Sequence, residues 1–359
     1  MRDKLLHPVT ITLLVLIFIF ILPIVIPQKR VETLNDEVLR SLALNGNMLP
    51  TPIKYQELLK VIDNPQNPVT RDKIALGKKL FFDNRLSRDE TLNCASCHIL
   101  SEGGDDNLPT AIGYHGRANP FHLNSPTVLN SALAKAQFWN GRAKDVEAQA
   151  GGPVQAPFEM NMTPKEVEER LNSDKGLVGE FKKIFGKDKI TFDNVKNAIG
   201  AYERTLLTYG AYDRFLAGDN SAISDKAKRG MTIFMTKGCK GCHVGMSVGG
   251  QSMQHFPLRL YLSDYIGFVF SPDMKIKESP FPFENIGGFL GKDNKLLFRV
   301  PILRNISKTA PYFHNGSVKD LKEVVRIMSK YQLGNEFNKE DIDDVVEFLK
   351  TLDGEIVKY

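Results

Sequence analysis

Four cysteines are all that this chain of 359 residues contains, and they fall into two copies of one pentad. Cys94-Ala-Ser-Cys97-His98 is the first and Cys239-Lys-Gly-Cys242-His243 the second. Cys-x-x-Cys-His is the covalent attachment signature of a c-type haem: two thiols add to the vinyl groups, and the adjacent imidazole is placed to ligate the iron. A zinc site of Cys pairs needs them about 15–20 residues apart, and these pairs begin at positions 94 and 239. A thioredoxin-like redox motif needs a βαβ setting, and no such pattern surrounds either pentad. The chain therefore reads as the holder of two c-type haems.

That reading bounds the rest. The cysteines are not a disulfide framework, because haem attachment consumes them. The formal charge is +5, which up to four haem propionates would largely cancel, and no basic run suggests nucleic acid. Covalent haem attachment takes place outside the cytoplasm, so the chain is expected to be exported to the periplasm. Residues 1–30 fit export. Val9 to Ile26 is apolar apart from Thr10, Thr12 and Pro23, and Arg2 and Lys4 precede it. A span of about 18 apolar residues suits a transmembrane helix better than the shorter core of a signal peptide. No Ala-x-Ala site follows, so an uncleaved inner-membrane anchor is favoured over a cleaved signal helix.

A short helix is expected over 32–44, stopped by Asn45-Gly46. Residues 47–70 carry Pro50, Pro52, Pro65 and Pro68 and read mostly as an irregular lead-in. Helices are expected over 72–83 and 225–237, each ahead of a haem motif, and Gly77-Lys-Lys-Leu-Phe81 in one is echoed by Gly230-Met-Thr-Ile-Phe234 in the other. Phe192, Val195, Ile199, Tyr202 and Leu206 follow helical spacing, as do Ile342, Val345, Val346, Leu349 and Leu352. Each half thus reads as first helix, haem motif, ligand loops and last helix. The expected fold is mainly α, with two cytochrome c-like domains from an internal duplication over 31–209 and 210–359. No long alternating pattern argues for a large sheet.

From the first pentad onward the chain resembles the bacterial di-haem cytochrome c peroxidases, over about residues 70–352. The phrases that carry the resemblance are Gly103-Gly-Asp-Asp-Asn-Leu-Pro-Thr110, Asn124-Ser-Pro-Thr-Val128, Gln137-Phe-Trp-Asn-Gly-Arg142 and Gly151-Gly-Pro-Val-Gln155. Val300-Pro-Ile-Leu-Arg-Asn305, Thr309-Ala-Pro-Tyr-Phe-His-Asn-Gly316 and Tyr331-Gln-Leu-Gly334 follow in the second half. The stretch 244–299 is less regular than the family's, and His255 within it matches no family role.

The resemblance implies roles for particular residues. His98 and His115 would ligate the first iron at rest, His115 leaving on activation; His122, seven residues later, is the alternative. His243 and Met328 would ligate the second iron, the thioether raising its potential relative to bis-His ligation. Tyr in place of Met328 would mark a related oxidase that modifies another protein. Trp139, which could equally be a core anchor, would lie between the haems on the electron route. Gln149 would hold hydrogen peroxide and Glu159 would carry its proton. Calcium would sit between the domains on the Asn124 side chain and the carbonyls of Thr309 and Pro311. The implied activity is reduction of hydrogen peroxide to water with electrons from a small cytochrome c or a blue-copper protein. The resemblance leaves a homodimer open. An electron carrier without peroxidase chemistry is the alternative, and would have no need of Gln149 or Glu159.

Overall fold

Side-chain oxygens of Asn, Asp, Ser and Thr start nearly every helix of this chain by accepting a backbone N–H of the first turn. The computed structural model describes residues 31–259 and 280–359. In it these caps open α1 (Asp36–Asn45), α3 (Arg71–Phe81), α4 (Val146–Gln155), α5 (Pro164–Asn172), α6 (Lys175–Phe185) and α7 (Phe192–Glu203). They also open α9 (Asp225–Thr236), α10 (Leu321–Ile327) and α11 (Lys339–Lys350). Two helices lack a side-chain cap, α2 (Tyr55–Ile62) and α8 (Ala211–Leu216). Strands are short: β1 (Thr208–Gly210) pairs antiparallel with β4 (Gly354–Ile356), and β2 (Met253–His255) with β3 (Leu297–Arg299).

Two helix crossings organise the molecule, and a glycine permits each. At Gly77 on α3 a Cβ would lie 1.9 Å from the Ala198 carbonyl oxygen of α7. At Gly230 on α9 it would lie 1.8 Å from that of Asp344 on α11. Only a residue without a Cβ lets the backbones approach so closely. The echo of Gly77 in Gly230 thus has one cause, a first helix laid across a last helix in each half. Leu76, Leu80, Phe81, Val195 and Ile199 close the first core; Met231, Phe234, Val345, Phe348 and Leu349 close the second.

The two halves are interleaved. Leu39 and Ala43 of α1 pack into the second core, and the β1–β4 ribbon brings residues 354–356 back onto 208–210. Arg304 and Asp213, each with a side chain 1% exposed, form a two-pronged pair at 2.8 Å and 2.8 Å. Asp213 also accepts the N–H of Thr51 and Gly210, and Arg304 donates to the Met246 carbonyl. Removing one partner of a buried pair strands the other's charge, at about 3–5 kcal/mol. Arg304→Met is therefore expected to lower the denaturation free energy by roughly that much. A loss under about 1 kcal/mol in urea unfolding, the ordinary value of an exposed pair, would contradict this.

The mainly α fold and the absence of a large sheet, among the described residues, match the sequence reading. Residues 47–70 do not stay irregular: α2 forms between the proline pairs, burying Leu58 and Ile62. The prolines bracket the helix and never enter it. Residues 1–30, the expected anchor or signal helix, lie outside the described residues. Among the described residues no helix is long and apolar enough to cross a membrane.

Candidate active site

Each pentad opens a cleft. The first cleft encloses about 1760 Å³ of empty space, its open mouth included, and is lined by Cys94, Cys97 and His98. The second encloses about 1540 Å³ on the same measure and is lined by Cys239, Cys242 and His243. Both pentads start as a single tight turn, Cys94–Ser96 and Cys239–Gly241, which sets the paired thiols and the imidazole on one wall. No disulfide joins any of the four cysteines, and Cys94, Cys97 and Cys239 sit where burial raises a thiol's pKa. Among the described residues no group of three or more His, Cys, Asp or Glu could hold a bare metal ion. Two separate thiol pairs, each with an imidazole beside a largely apolar cleft, suit thioether attachment of a porphyrin.

The backbone orients the first imidazole. Gly103 and Gly104 turn the chain back at φ +90° and +84°, and the Gly104 carbonyl lies 3.1 Å from His98 Nδ1. That contact suits an Nδ1–H tautomer, which leaves Nε2 with the lone pair an iron ligand requires. Burial lowers the His98 pKa, and lowers that of His243 to about 4. Both imidazoles are thus held neutral, the ligating form.

The far wall of the first cleft is built by α4 and the turn after it. Gln149 and Glu159 both line it. Burial raises the Glu159 pKa, and the nearby Arg142 guanidinium partly offsets this. Asp145 caps α4, and the buried Glu147 of the same helix accepts from Arg204 and Asn67. His115 is not brought to this cleft. It sits at φ +55° in the turn Tyr114–Gly116 with its side chain 61% exposed, stacked on Tyr114 and 3.8 Å from Asp89. Its loop is nevertheless tied to the wall, since the Tyr114 N–H donates to the Glu159 carbonyl at 2.7 Å. His122 is half-buried, its Nδ1 without a partner.

In the second cleft Met328 lines the wall. It opens a π-helical turn, Met328–Leu333, which continues α10 and ends at Gly334. His255 is exposed at the cleft mouth, its Nδ1 2.9 Å from the Lys295 carbonyl.

The clefts meet at Trp139, which lines both. Its indole N–H donates to the Asn124 carbonyl at 2.9 Å. The Asn124 amide N–H reaches the Leu108 carbonyl at 2.8 Å and that of Pro311 at 3.3 Å. Asn124 thus reaches Pro311, and both line the second cleft, as does Thr309.

Sequence reading missed two charged residues here. Glu203, 4% exposed and raised to about 8 by burial, lines the first cleft. Arg299, also 4% exposed, lines both. It stands one position before the Val300-Pro motif, so the signal lay beside a phrase already singled out.

Two helix crossings, each followed by a Cys-x-x-Cys-His cleft, define a c-type cytochrome with two haem-binding units. Residues 71–221 match the family model of di-haem cytochrome c peroxidase, and 227–353 that of cytochrome c. The cytochrome c551 peroxidase of Pseudomonas aeruginosa is 42% identical over 334 residues, covering 91% of this chain and 88% of its own. That of Nitrosomonas europaea is 41% identical over 290 residues, covering 80% and 82%. A crystal structure of a MauG-like protein associated with microbial copper homeostasis matches at a TM-score of 0.67 and 26% identity, covering 82% of this chain and 93% of that one. The chain belongs to the di-haem cytochrome c peroxidase family, and its two cytochrome c units indicate two c-type haems.

Proposed function

We propose that this protein reduces hydrogen peroxide to water in the periplasm, with electrons from a small cytochrome c or a blue-copper protein. The observation that carries the reading is the asymmetry of the two clefts. Both carry a haem pentad, but only the first is lined by Gln149 and Glu159, and Trp139 lines both. An electron carrier has no use for Gln149 and Glu159, half-buried beside one of its two cofactors. The unit around the first cleft, within 31–209, handles peroxide and 210–359 receives electrons, with α1 packed on the second unit. Residues 1–30 direct export, as an anchor or a signal helix.

Cys94, Cys97 and His98 hold one haem; Cys239, Cys242, His243 and Met328 hold the other. When bound, haem iron supplies the electrons and the open coordination position that peroxide reduction needs. The chain supplies the rest. Gln149 orients peroxide by hydrogen bonding. Glu159 takes a proton from one oxygen and returns it to the other, and burial has already moved its pKa upward for that exchange. His115 gates the site: turned inward it would close the first cleft, and turned outward it would leave the cleft open. Because the Tyr114 N–H is bonded to the Glu159 carbonyl, movement of this loop is felt at the proton carrier.

Calcium at Asn124, Thr309 and Pro311 would tie the two units together. An amide oxygen and backbone carbonyls are the ligands a hard cation takes, and the Asn124 side chain would turn its oxygen toward the ion. One experiment tests the gate and the ion. His115→Ala is expected to leave the first haem high-spin at rest, whereas His122→Ala is not, and excess chelator is expected to slow activation of the unmutated protein. High-spin character in His122→Ala alone would transfer the gate to His122. Activation kinetics unaffected by chelation would remove calcium from the account.

A further inference from the structure

Among the described residues no anion pairs with Arg299, which is buried. Burial brings its pKa down to about 10. Its Nε donates to the Phe138 carbonyl at 3.3 Å, and its Nη1 has no partner. An uncompensated buried charge is costly, so such groups are paired or bind a counter-charge. Two backbone ladders hold the residue in place. Its N–H donates to the Trp139 carbonyl at 2.8 Å, and in β3 it lies opposite Met253 of β2. Six residues line both clefts, namely Asn124, Ser125, Pro126, Thr127, Trp139 and Arg299, and Arg299 is the charged one. Arg142, the other arginine of the first cleft, stacks on Phe138 and faces Glu159, so it already has an anion.

We propose that the Arg299 guanidinium binds haem propionate carboxylates where the two clefts meet. A guanidinium fork matches a carboxylate in two parallel hydrogen bonds, and the propionates are the anions that two haems bring to this chain. The proposal rests on haem loading and not on the peroxidase reaction. With its propionate neutralised, an iron gains an electron more readily; without Arg299 the oxidised state is favoured.

The test uses the full-length, haem-loaded protein, with haem counted first. Arg299→Met is expected to shift the propionate bending band in resonance Raman spectra. It is also expected to lower the midpoint potential of one haem or both by at least a tenfold change in electron equilibrium, about 59 mV for a one-electron couple. A fall in both potentials assigns Arg299 to both haems, and a fall in one assigns it to that haem. Arg299→Lys keeps the charge and loses the fork, so the band should still shift while the potential recovers most of its value. A merely structural arginine would alter melting and leave the propionate band alone. An unshifted band with unchanged potentials in two-haem Arg299→Met overturns the proposal. If that variant fails to load both haems, an unshifted band in Arg299→Lys overturns it.

Discussion

Glu159→Gln is expected to cut peroxide turnover by about 10²–10⁴-fold, the range that a general acid–base group contributes, while peroxide still binds. Glutamine preserves the shape of the side chain and its contacts with the first cleft but cannot carry a proton. The pH profile gives a second reading. Burial holds the Glu159 pKa above the ordinary carboxylate value, and Arg142 only partly offsets it. To take the first proton from peroxide the carboxyl must be ionised, so turnover should rise as pH rises through that elevated pKa. Glu159→Gln should lack this limb. Stopped-flow mixing of half-reduced protein with peroxide measures both effects. Breakdown as fast as in the unmutated protein would assign the proton to another group.

Cys239→Ser combined with Cys242→Ser is expected to remove one covalent haem and all activity supported by an external donor. Gln149 and Glu159 line the first cleft and not the second, so loss of the second haem should leave peroxide binding at the first site intact. Haem content and donor oxidation, measured on the same sample, separate the two functions. Full donor-supported turnover by a one-haem protein would mean that electrons enter the first cleft directly.

Much of this was legible in the sequence because local chemistry dictates it. The two pentads specify two clefts. Gly77 and Gly230 announce the two crossings, since an added Cβ at either would sit inside a carbonyl of the facing helix. What escaped had weaker or longer-range signals. α2 was hidden by the prolines on either side of it. α5 is the exception, passed over despite a readable start, the Thr163–Glu166 capping box with Pro164 in the first turn. The β1–β4 ribbon pairs segments remote in sequence, and three-residue strands carry no pattern to read. His115 was expected beside His98, but the position of a surface turn depends on tertiary contacts, and here it stacks on Tyr114 in the open. The charges of Arg299 and Glu203 are plain in the sequence, but their burial is a property of the assembled clefts.

Coupling of the two haem clefts to peroxide reduction can be read directly as a stoichiometry. Purified two-haem protein is mixed with limiting hydrogen peroxide and an excess of reduced small cytochrome c, and oxidation of the donor is followed to completion. Two donor molecules are expected to be oxidised per peroxide consumed, because reduction to water takes two electrons. Donor oxidation that is indifferent to peroxide, in protein carrying both haems and already half-reduced, would contradict it and leave an electron carrier.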